Sequence, residues 1–405
     1  MATVNSNERS EAIELIKLMD NLAQQNTWEI KSVSGERTVN TGVKRMFPDV
    51  ILYGDSTRTQ ILQGWEVKMP DVSITDADFI HDAQRKADVL KLNSCFIWNF
   101  TYGVLYIKDE SIWKKEKEWQ LPHIKSRDDV LTFKSEWEKE ITSILCDLNE
   151  LFSSGHLRHS EIGGIISDTV FSEILNRNKG VTADYLKTSA TKNTVIKAYI
   201  SQWWKYAEKE YKFDSQDQYA AYAQIILIDW TVKITFAHLI KANHNPARLV
   251  ESIDKSISAT EALKIFDAIT AKCDFFNIFK NLTYGDCLPT AAWDDLTDYN
   301  AFLNQNGIVN VPQSGLQSML ESSVNHFKRN AVGVFTTPTI IAKILVNAGI
   351  TDLTAPTIDP CCGTGTIVNE IIEAKSAALK NVKKTYETTF ASENSLFRFR
   401  CQISP

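Results

Sequence analysis

Two segments of the sequence combine residue types that can do chemistry. Near the N-terminus, Pro48 and Asp49 open one apolar run, and Glu66 and Lys68 end a second. Residues 66 and 68 share one face of a strand because side chains alternate along it. Two carboxylates at neighbouring strand ends can hold Mg²⁺, and a lysine beside them can position or deprotonate water or stabilise phosphate charge. This pattern predicts phosphodiester hydrolysis.

The second segment lies at residues 357–369. An apolar run ends in Asp359 and continues through Pro360 and Cys361 into a turn that contains Gly363 and Gly365. A strand, a glycine-rich turn and a helix in that order form a cradle in which backbone approaches a ligand. The alternative is a plain turn that uses glycine only for its backbone freedom.

Bulk composition indicates an ordinary globular protein. The 405 residues are 43% hydrophobic and 23% charged, with a formal net charge of −6. This length suits two or three domains, and the charge excludes a uniformly basic nucleic-acid coat but not a local basic groove. Seven cysteines form no zinc-like spacing and suit reduced thiols. With no signal peptide and no apolar run of membrane-spanning length, we expect a cytoplasmic protein without a membrane partner.

The spacing of apolar residues predicts an α/β fold in three domains, 1–110, 111–330 and 331–405. In the first domain the pattern is helix, three strands, helix and strand, with one further strand. The predicted elements are a helix from Glu8 to Asn26, strands Trp28–Val33, Asp49–Tyr53 and Ile61–Val67, a helix Ala77–Leu92, and strands Cys95–Phe100 and Val104–Ile107.

The middle domain is predicted to be helical, and the last domain alternates helix and strand. The charge run Lys114–Glu118 is interpreted as a solvated helix face or linker. The middle helices are predicted at Glu136–Phe152, Thr194–Tyr211, Gln218–Ile240 and Ala259–Phe279. The last domain is predicted to contain helix Thr337–Ala348, strand Pro356–Ile358, helix Thr366–Ala378 and strand Tyr386–Ser392.

The spacing Glu-x-Lys occurs four times, so the tripeptide alone has little meaning. Only the copy at Glu66 and Lys68 follows a Pro-Asp strand opening at hairpin distance. Residues 8–108 resemble the PD-(D/E)xK nuclease family, whose core has the order αβββαβ. The resemblance implies that Asp49 and Glu66 are metal ligands and that Lys68 is the catalytic lysine.

The resemblance also points to three further residues of the predicted site. Gln84 lies on the helix after the motif, where some members carry a supporting catalytic glutamine. The acid of the family's first helix corresponds to Glu11 or Glu14, and the choice stays open. The alternative to a nuclease is an edge strand with a solvent-facing Glu/Lys pair.

The C-terminal segment from Asp359 to Gly365 resembles the S-adenosylmethionine motif of N6-adenine DNA methyltransferases. It differs from a dinucleotide fingerprint and from a P-loop in the residues after the second glycine. The resemblance also gives Thr337 and Pro338, before the cofactor strand, and Glu393, which would contact the cofactor ribose. Thr337 and Pro338 are equally a natural helix start.

Together the resemblances imply a type IIG or type I-like restriction–modification fusion. Its expected parts are a Mg²⁺-dependent nuclease, a helical connector, and the start of a Rossmann-like adenine methyltransferase that acts on double-stranded DNA. The family's catalytic Asn-Pro-Pro-Tyr/Phe segment is expected to be missing, since no Pro-Pro pair occurs and the chain ends 40 residues after Gly365. Alternatives are a non-catalytic remnant, a subunit completed by the missing C-terminal part in trans, or a methyltransferase for RNA or protein.

Overall fold

The apolar runs of the first 120 residues pair into one mixed sheet. The structure, a computed structural model, describes residues 8–35, 46–211, 217–271, 275–306, 308, 337–353, 355–360 and 365–381. The chain divides into two compact units, Met1–Ser323 and Val324–Pro405. In the described part of the first unit, the strands are β1 (Ser32–Gly35), β2 (Val50–Tyr53), β3 (Gln60–Val67), β4 (Ser94–Trp98), β5 (Tyr102–Asp109), β6 (Ile112–Gln120) and β7 (Ser160–Glu161).

Six of these strands lie side by side in chain order, and β7 pairs with the start of β3. Strands β3 and β4 are parallel, whereas the other neighbours are antiparallel. A parallel pair cannot be joined by a tight turn and needs a crossover. Helix α2 (Ala77–Val89) makes that crossover, and Asp76 caps its first turn by accepting from the backbone N–H groups of Asp78 and Phe79. The predicted αβββαβ order is therefore present.

The sheet is covered on both faces. Helices α1 (Glu8–Gln25) and α4 (Lys134–Ser153) pack on the face that carries side chains such as Trp65. Helix α2 covers the other face, where Ile97 joins a core that continues into the helical part of the unit. The sheet and the helices that follow it thus share one hydrophobic core.

The charge run Lys114–Glu118 is a strand and not a helix. It lies in β6, the edge strand of the β5–β6 hairpin, so the sheet continues past residue 110, where the first domain was predicted to end. The expected exposure of this run is confirmed. Lys115 pairs with Glu118, and Lys117 pairs with Asp147. A charged, exposed edge strand resists pairing with other chains, which explains why strand pairing and a charge run coexist here.

The helical part has the predicted helices Thr194–Tyr211 and Gln218–Ile240 with the same bounds, whereas the helix predicted at Ala259–Phe279 ends at Thr270 and a separate short helix begins at Phe276. Its further elements are α3 (Arg127–Thr132), α5 (Ile162–Ile165), a π-helical turn (Ile166–Val170), α6 (Phe171–Lys192), α7 (Thr194–Tyr211), α8 (Gln218–Ile240), a 3₁₀ helix (Asn245–Ser252), α9 (Ala259–Thr270), α10 (Phe276–Phe279) and α11 (Thr290–Gln305). Helix α8 is long and apolar enough to cross a membrane by length and composition, but 61% of its most apolar window is buried inside the protein. Its Lys233 is fully buried and pairs with Asp229 at 2.6 Å. A helix that is apolar all round is typical of a protein core.

The second unit contains two described helices that pack together, α12 (Thr339–Gly349) and α13 (Thr366–Asn381). Ala342 and Val346 of α12 are buried. The strand predicted at Pro356–Ile358 is not formed, and Ile358 is 82% exposed. A strand needs a paired neighbour, and the predicted strand Tyr386–Ser392 lies outside the described residues.

One polar cluster joins α8 to α11. The Nε2 atom of His238 lies 2.8 Å from Oδ1 of Asn300, whose amide N–H groups donate to the carbonyls of Val250 and Ile253. The Asn300 oxygen must therefore accept, so His238 donates from Nε2. Its Nδ1 has no hydrogen-bond partner among the described residues. Burial, with the nearby Lys241 charge, lowers the pKa of His238 to about 3.

This histidine makes folding sensitive to acid. Between pH 6.5 and about 3 the unfolded chain binds a proton that the folded protein does not, so stability falls as pH falls through this window. At pH 5 the expected loss from this group is about 2 kcal/mol relative to pH 7.5. His238→Gln keeps a donor for Asn300 but does not titrate. Urea unfolding at both pH values should show a smaller acid loss in this variant. The exposed His123→Gln is the control, and an unchanged acid loss in His238→Gln would contradict the assignment.

Candidate active site

Asp49 directly precedes β2 and faces Glu66, which lies on β3. The register pairs Val50 with Trp65, and continuing it by one residue places Asp49 opposite Glu66. The Oδ2 atom of Asp49 accepts from the backbone N–H of Val67 at 3.0 Å, which fixes the carboxylate to β3. Sequence and structure agree on this juxtaposition.

Gly64 permits the close approach of the two strands at this point. A Cβ atom at residue 64 would lie 2.4 Å from Cγ of Pro48, closer than packed carbon atoms can be. Glycine therefore leaves room for the proline that precedes Asp49. The Pro-Asp and Gly-x-Glu segments of the motif therefore contact each other through Pro48 and Gly64.

Lys68 lies on the open side of the site. Its Nζ atom is 3.5 Å from Oδ2 of Asp49 and 5.5 Å from the centre of the Phe79 ring on α2. The side chains of Lys68 and Asp49 are 27% and 21% exposed. Solvent, and hence a substrate, can reach this half of the site.

Glu66 occupies the buried half. Both of its carboxylate oxygens accept from Nζ of Lys86 at 2.8 Å, and each side chain is only 4% exposed. Strand β3 lies between β2 and β4 and is a central strand. The alternative of an edge strand with a solvent-facing Glu/Lys pair is therefore wrong for Glu66.

The charges of the site are strongly coupled. Burial raises the pKa of Glu66 to about 7, opposed by the charge of Lys86 and helped by that of Asp49. Burial would lower the pKa of Lys86, but the carboxylates of Glu66, Asp49 and Asp82 raise it above its ordinary value. Lys86 is therefore a cation held among three carboxylates.

Helix α2 holds Lys86 in this position through its own ion pairs. Asp82, one turn before Lys86, lies 3.2 Å from its Nζ atom and 3.0 Å from a guanidinium nitrogen of Arg85. Arg85 also pairs with Glu173 of α6 at 2.8 Å. The helical part thus fixes α2, and α2 fixes Lys86 over Glu66.

The residue of α2 that contacts Glu66 is Lys86, whereas the residue predicted at the site is Gln84. Two residues along a helix correspond to about 200° of rotation, so the two side chains leave α2 in nearly opposite directions. The contact to Glu66 belongs to Lys86, and a catalytic role for Gln84 stays a prediction. The spacing of Ala83, Lys86 and Ala87 could have revealed a lysine on the buried stripe of the helix.

The two acids of the first helix have different surroundings. Glu14 pairs with Lys134 of α4 at 2.6 Å. Glu11 is 4% exposed, and burial and the Glu14 charge raise its pKa. Glu14 therefore links α1 to α4, and the choice between Glu11 and Glu14 as the family's first-helix acid stays a prediction.

The donor set suits a hard cation held mainly by water and substrate. Within the described residues, no group of three or more His, Cys, Asp or Glu side chains is arranged to hold a metal ion. Asp49 and Glu66 supply two carboxylates, and Mg²⁺ commonly binds one or two carboxylates while keeping several waters. The ammonium group of Lys86 is a stand-in cation on Glu66. The residues thus fit the expected Mg²⁺, which stays a proposal.

The C-terminal cradle is described only in part. Gly365 has a φ of +84° and directly precedes α13, as a glycine turn before a helix requires. Pro338 caps the start of α12, and Thr337 precedes it. Asp359 is half-buried and Pro360 is exposed. Three predicted cofactor residues lie outside the described residues: Cys361, Gly363 and Glu393.

The sequence matches no protein-family model and no curated protein. Among solved structures, the type IIG restriction endonuclease BpuSI has a TM-score of 0.27 and 12% identity, covering 91% of this chain and 37% of that chain. A cryo-EM structure of a DrdV–DNA complex has a TM-score of 0.27 and 13% identity, covering 90% of this chain and 35% of that one. This chain thus spans little more than a third of either structure's chain. A TM-score of 0.27 establishes neither a shared fold nor a shared function.

Burial should decide what the Lys86 ion pair contributes to stability. Lys86→Met leaves Glu66 buried without its cation and should reduce the free energy of unfolding by about 3–5 kcal/mol. Lys108→Met removes a pair of similar length, 2.7 Å to Asp88, whose side chains are 28% and 44% exposed. That variant should lose no more than about 1 kcal/mol. Equal losses in denaturant unfolding would contradict the assigned burial.

Proposed function

We propose that this chain belongs to a restriction–modification protein and that Asp49, Glu66 and Lys68 form a Mg²⁺-dependent phosphodiesterase site for double-stranded DNA. The observation that carries the proposal is the Asp49 carboxylate, which accepts from the backbone N–H of Val67 next to Glu66 and lies 3.5 Å from the Lys68 ammonium group at the open edge. A buried acid opposite a half-exposed acid is an unusual use of a central strand. Burying a carboxylate costs stability, which its partner Lys86 only offsets, and such buried charges cluster at functional sites.

The residues divide the work between them. Asp49 and Glu66 would hold Mg²⁺, which supplies Lewis-acid stabilisation of phosphate charge and a more acidic bound water. Lys68 points its ammonium group at the exposed side, where it can bind a phosphate oxygen or orient the attacking water. Its contact with the Phe79 ring restricts where that group can go. These roles need no residue beyond the described part of the first unit.

Cleavage should depend on the open half of the site. Asp49→Asn and Lys68→Met should each reduce Mg²⁺-dependent cutting of duplex DNA by at least about 100-fold, because one removes a ligand and the other a cation at the phosphate. Both side chains are partly exposed, so the fold should survive. Cutting is measured on supercoiled plasmid with purified full-length chain.

The matched control is Lys108→Met, a half-exposed lysine of β5 that pairs with Asp88. It should cut like the unaltered protein. Cutting that survives in both Asp49→Asn and Lys68→Met, or is absent from the unaltered protein with Mg²⁺, would overturn the nuclease assignment.

The second unit is proposed to be the start of an adenine-N6 methyltransferase that binds S-adenosylmethionine. Support comes from the motif and from Gly365, whose positive φ turns the chain into the N-terminus of α13. Asp359, Pro360 and the turn that follows would hold the cofactor, with Glu393 at its ribose. Bound cofactor would supply the methyl group, and the expected adenine-binding segment does not occur in this chain.

Cofactor binding gives this proposal its own test. Full-length chain should bind S-adenosylmethionine in calorimetry, and Asp359→Ala should weaken binding by at least about 10-fold through loss of a polar contact. Asp352→Ala, an exposed acid of the same unit, serves as the control. Absence of binding in the unaltered chain would contradict a self-contained cofactor site and favour completion of the methyltransferase by a partner in trans.

A further inference from the structure

The candidate site already contains a cation of its own. The ammonium group of Lys86 lies 2.8 Å from both oxygens of Glu66, and the lysine is 3% exposed. The roles proposed for Asp49, Glu66 and Lys68 do not use it. A buried lysine on a proposed metal ligand therefore needs a separate explanation.

Electrostatics indicates why a cation is present. A buried carboxylate without a partner is strongly unfavourable, so the metal-free protein needs a positive charge at Glu66. The same positive charge opposes a divalent cation that binds to that carboxylate. The positive charge of Lys86 thus stabilises the metal-free protein and opposes the binding of a divalent cation.

The structure also offers Lys86 a second acceptor. Asp82 lies one turn before Lys86 on α2, and its Oδ2 atom is 3.2 Å from Nζ of Lys86. The Asp82 side chain is 16% exposed. A small shift of the flexible lysine chain would strengthen this contact and release Glu66. The ammonium group has a place to go without leaving the buried site.

We propose that Lys86 is a built-in competitor of the divalent cation: it neutralises Glu66 in the metal-free protein and shifts to Asp82 when a cation binds Asp49 and Glu66. This inference rests on the proposed nuclease site. Because Lys86 and Asp82 lie on α2, metal affinity then depends on that helix. The site is thereby kept stable without metal and binds metal less tightly than its carboxylates alone would.

Direct Mn²⁺ binding to the DNA-free full-length chain tests the competition. Calorimetry at one fixed pH compares the unaltered protein with Lys86→Gln and Lys86→Met. Both variants should bind Mn²⁺ more tightly, on the order of 10-fold, because a unit positive charge beside the cation is gone. Mn²⁺ should also raise the melting temperature of these variants more than that of the unaltered protein.

The control is Lys233→Met, which removes another buried lysine that pairs with a carboxylate, Asp229, outside the site. It should lower the melting temperature but leave Mn²⁺ affinity unchanged. Equal or weaker Mn²⁺ binding in both Lys86 variants would overturn the inference.

Asp82→Asn provides a second route if the Lys86 variants do not fold. It removes the negative charge that would hold the shifted Lys86, so Mn²⁺ affinity should fall by several-fold. If Lys86→Gln folds, the same Asp82 change in that background should have little effect, since the effect acts through the lysine. An Asp82→Asn variant with unaltered Mn²⁺ affinity would count against the competition.

These outcomes are separable from the nuclease proposal. If the unaltered protein does not cleave DNA but Lys86→Gln binds Mn²⁺ more tightly, the nuclease proposal is rejected. The proposal that Lys86 competes with the cation is then retained. Cleavage that depends on Asp49 and Lys68, with no change in Mn²⁺ affinity on altering Lys86 or Asp82, would do the reverse.

Discussion

The buried ion pair between Glu66 and Lys86 ties the sheet to the crossover helix. Glu66 stands on a central strand, where a charge without a partner could not be tolerated. The partner must come from the element that covers this face, and that element is α2, the connection required by the parallel β3–β4 pair. The position of α2 is in turn held by Arg85 and Glu173 at the contact with α6. Removing the pair would therefore disturb the sheet, the crossover and the helical part together.

The candidate site is divided into an open half and a closed half, and the two halves have different physical tasks. Asp49 and Lys68 are accessible, so water screens their interaction and they can exchange partners with a substrate. Glu66 and Lys86 are shielded, so their interaction is strong and fixes geometry. A site built this way combines a fixed carboxylate with adaptable groups at the surface. Catalytic sites need both properties.

The helical part uses polar pairs to specify how apolar helices meet. Helix α8 is apolar all round and could pack in several orientations on hydrophobicity alone. The contacts of His238 with Asn300, and of Thr235 with Tyr299, select one orientation against α11. Because each partner is buried, a rotated packing would leave these groups without hydrogen bonds.

Strong local patterns made much of the architecture predictable. The αβββαβ order, the middle helices and the facing of Asp49 and Glu66 follow from periodicity and from side-chain alternation, which act within one element or one hairpin. The prediction of a helix face or linker at Lys114–Glu118 is wrong because the charges of this segment obscure its strand pattern. Only the pairing with β5 reveals that pattern. The strand predicted at Pro356–Ile358 is not formed, and the described residues offer it no strand to pair with.

The amino-acid sequence by itself determined the types of chemical group at the candidate site and the strands that carry them. Only the tertiary structure decided that Glu66 is buried and that the lysine in contact with it is Lys86, whereas Lys68 contacts Asp49. The reason is that burial and ion pairing depend on which helix covers which face of the sheet. Residues 66 and 86 are 20 positions apart, and their contact exists only once the crossover has folded back onto β3.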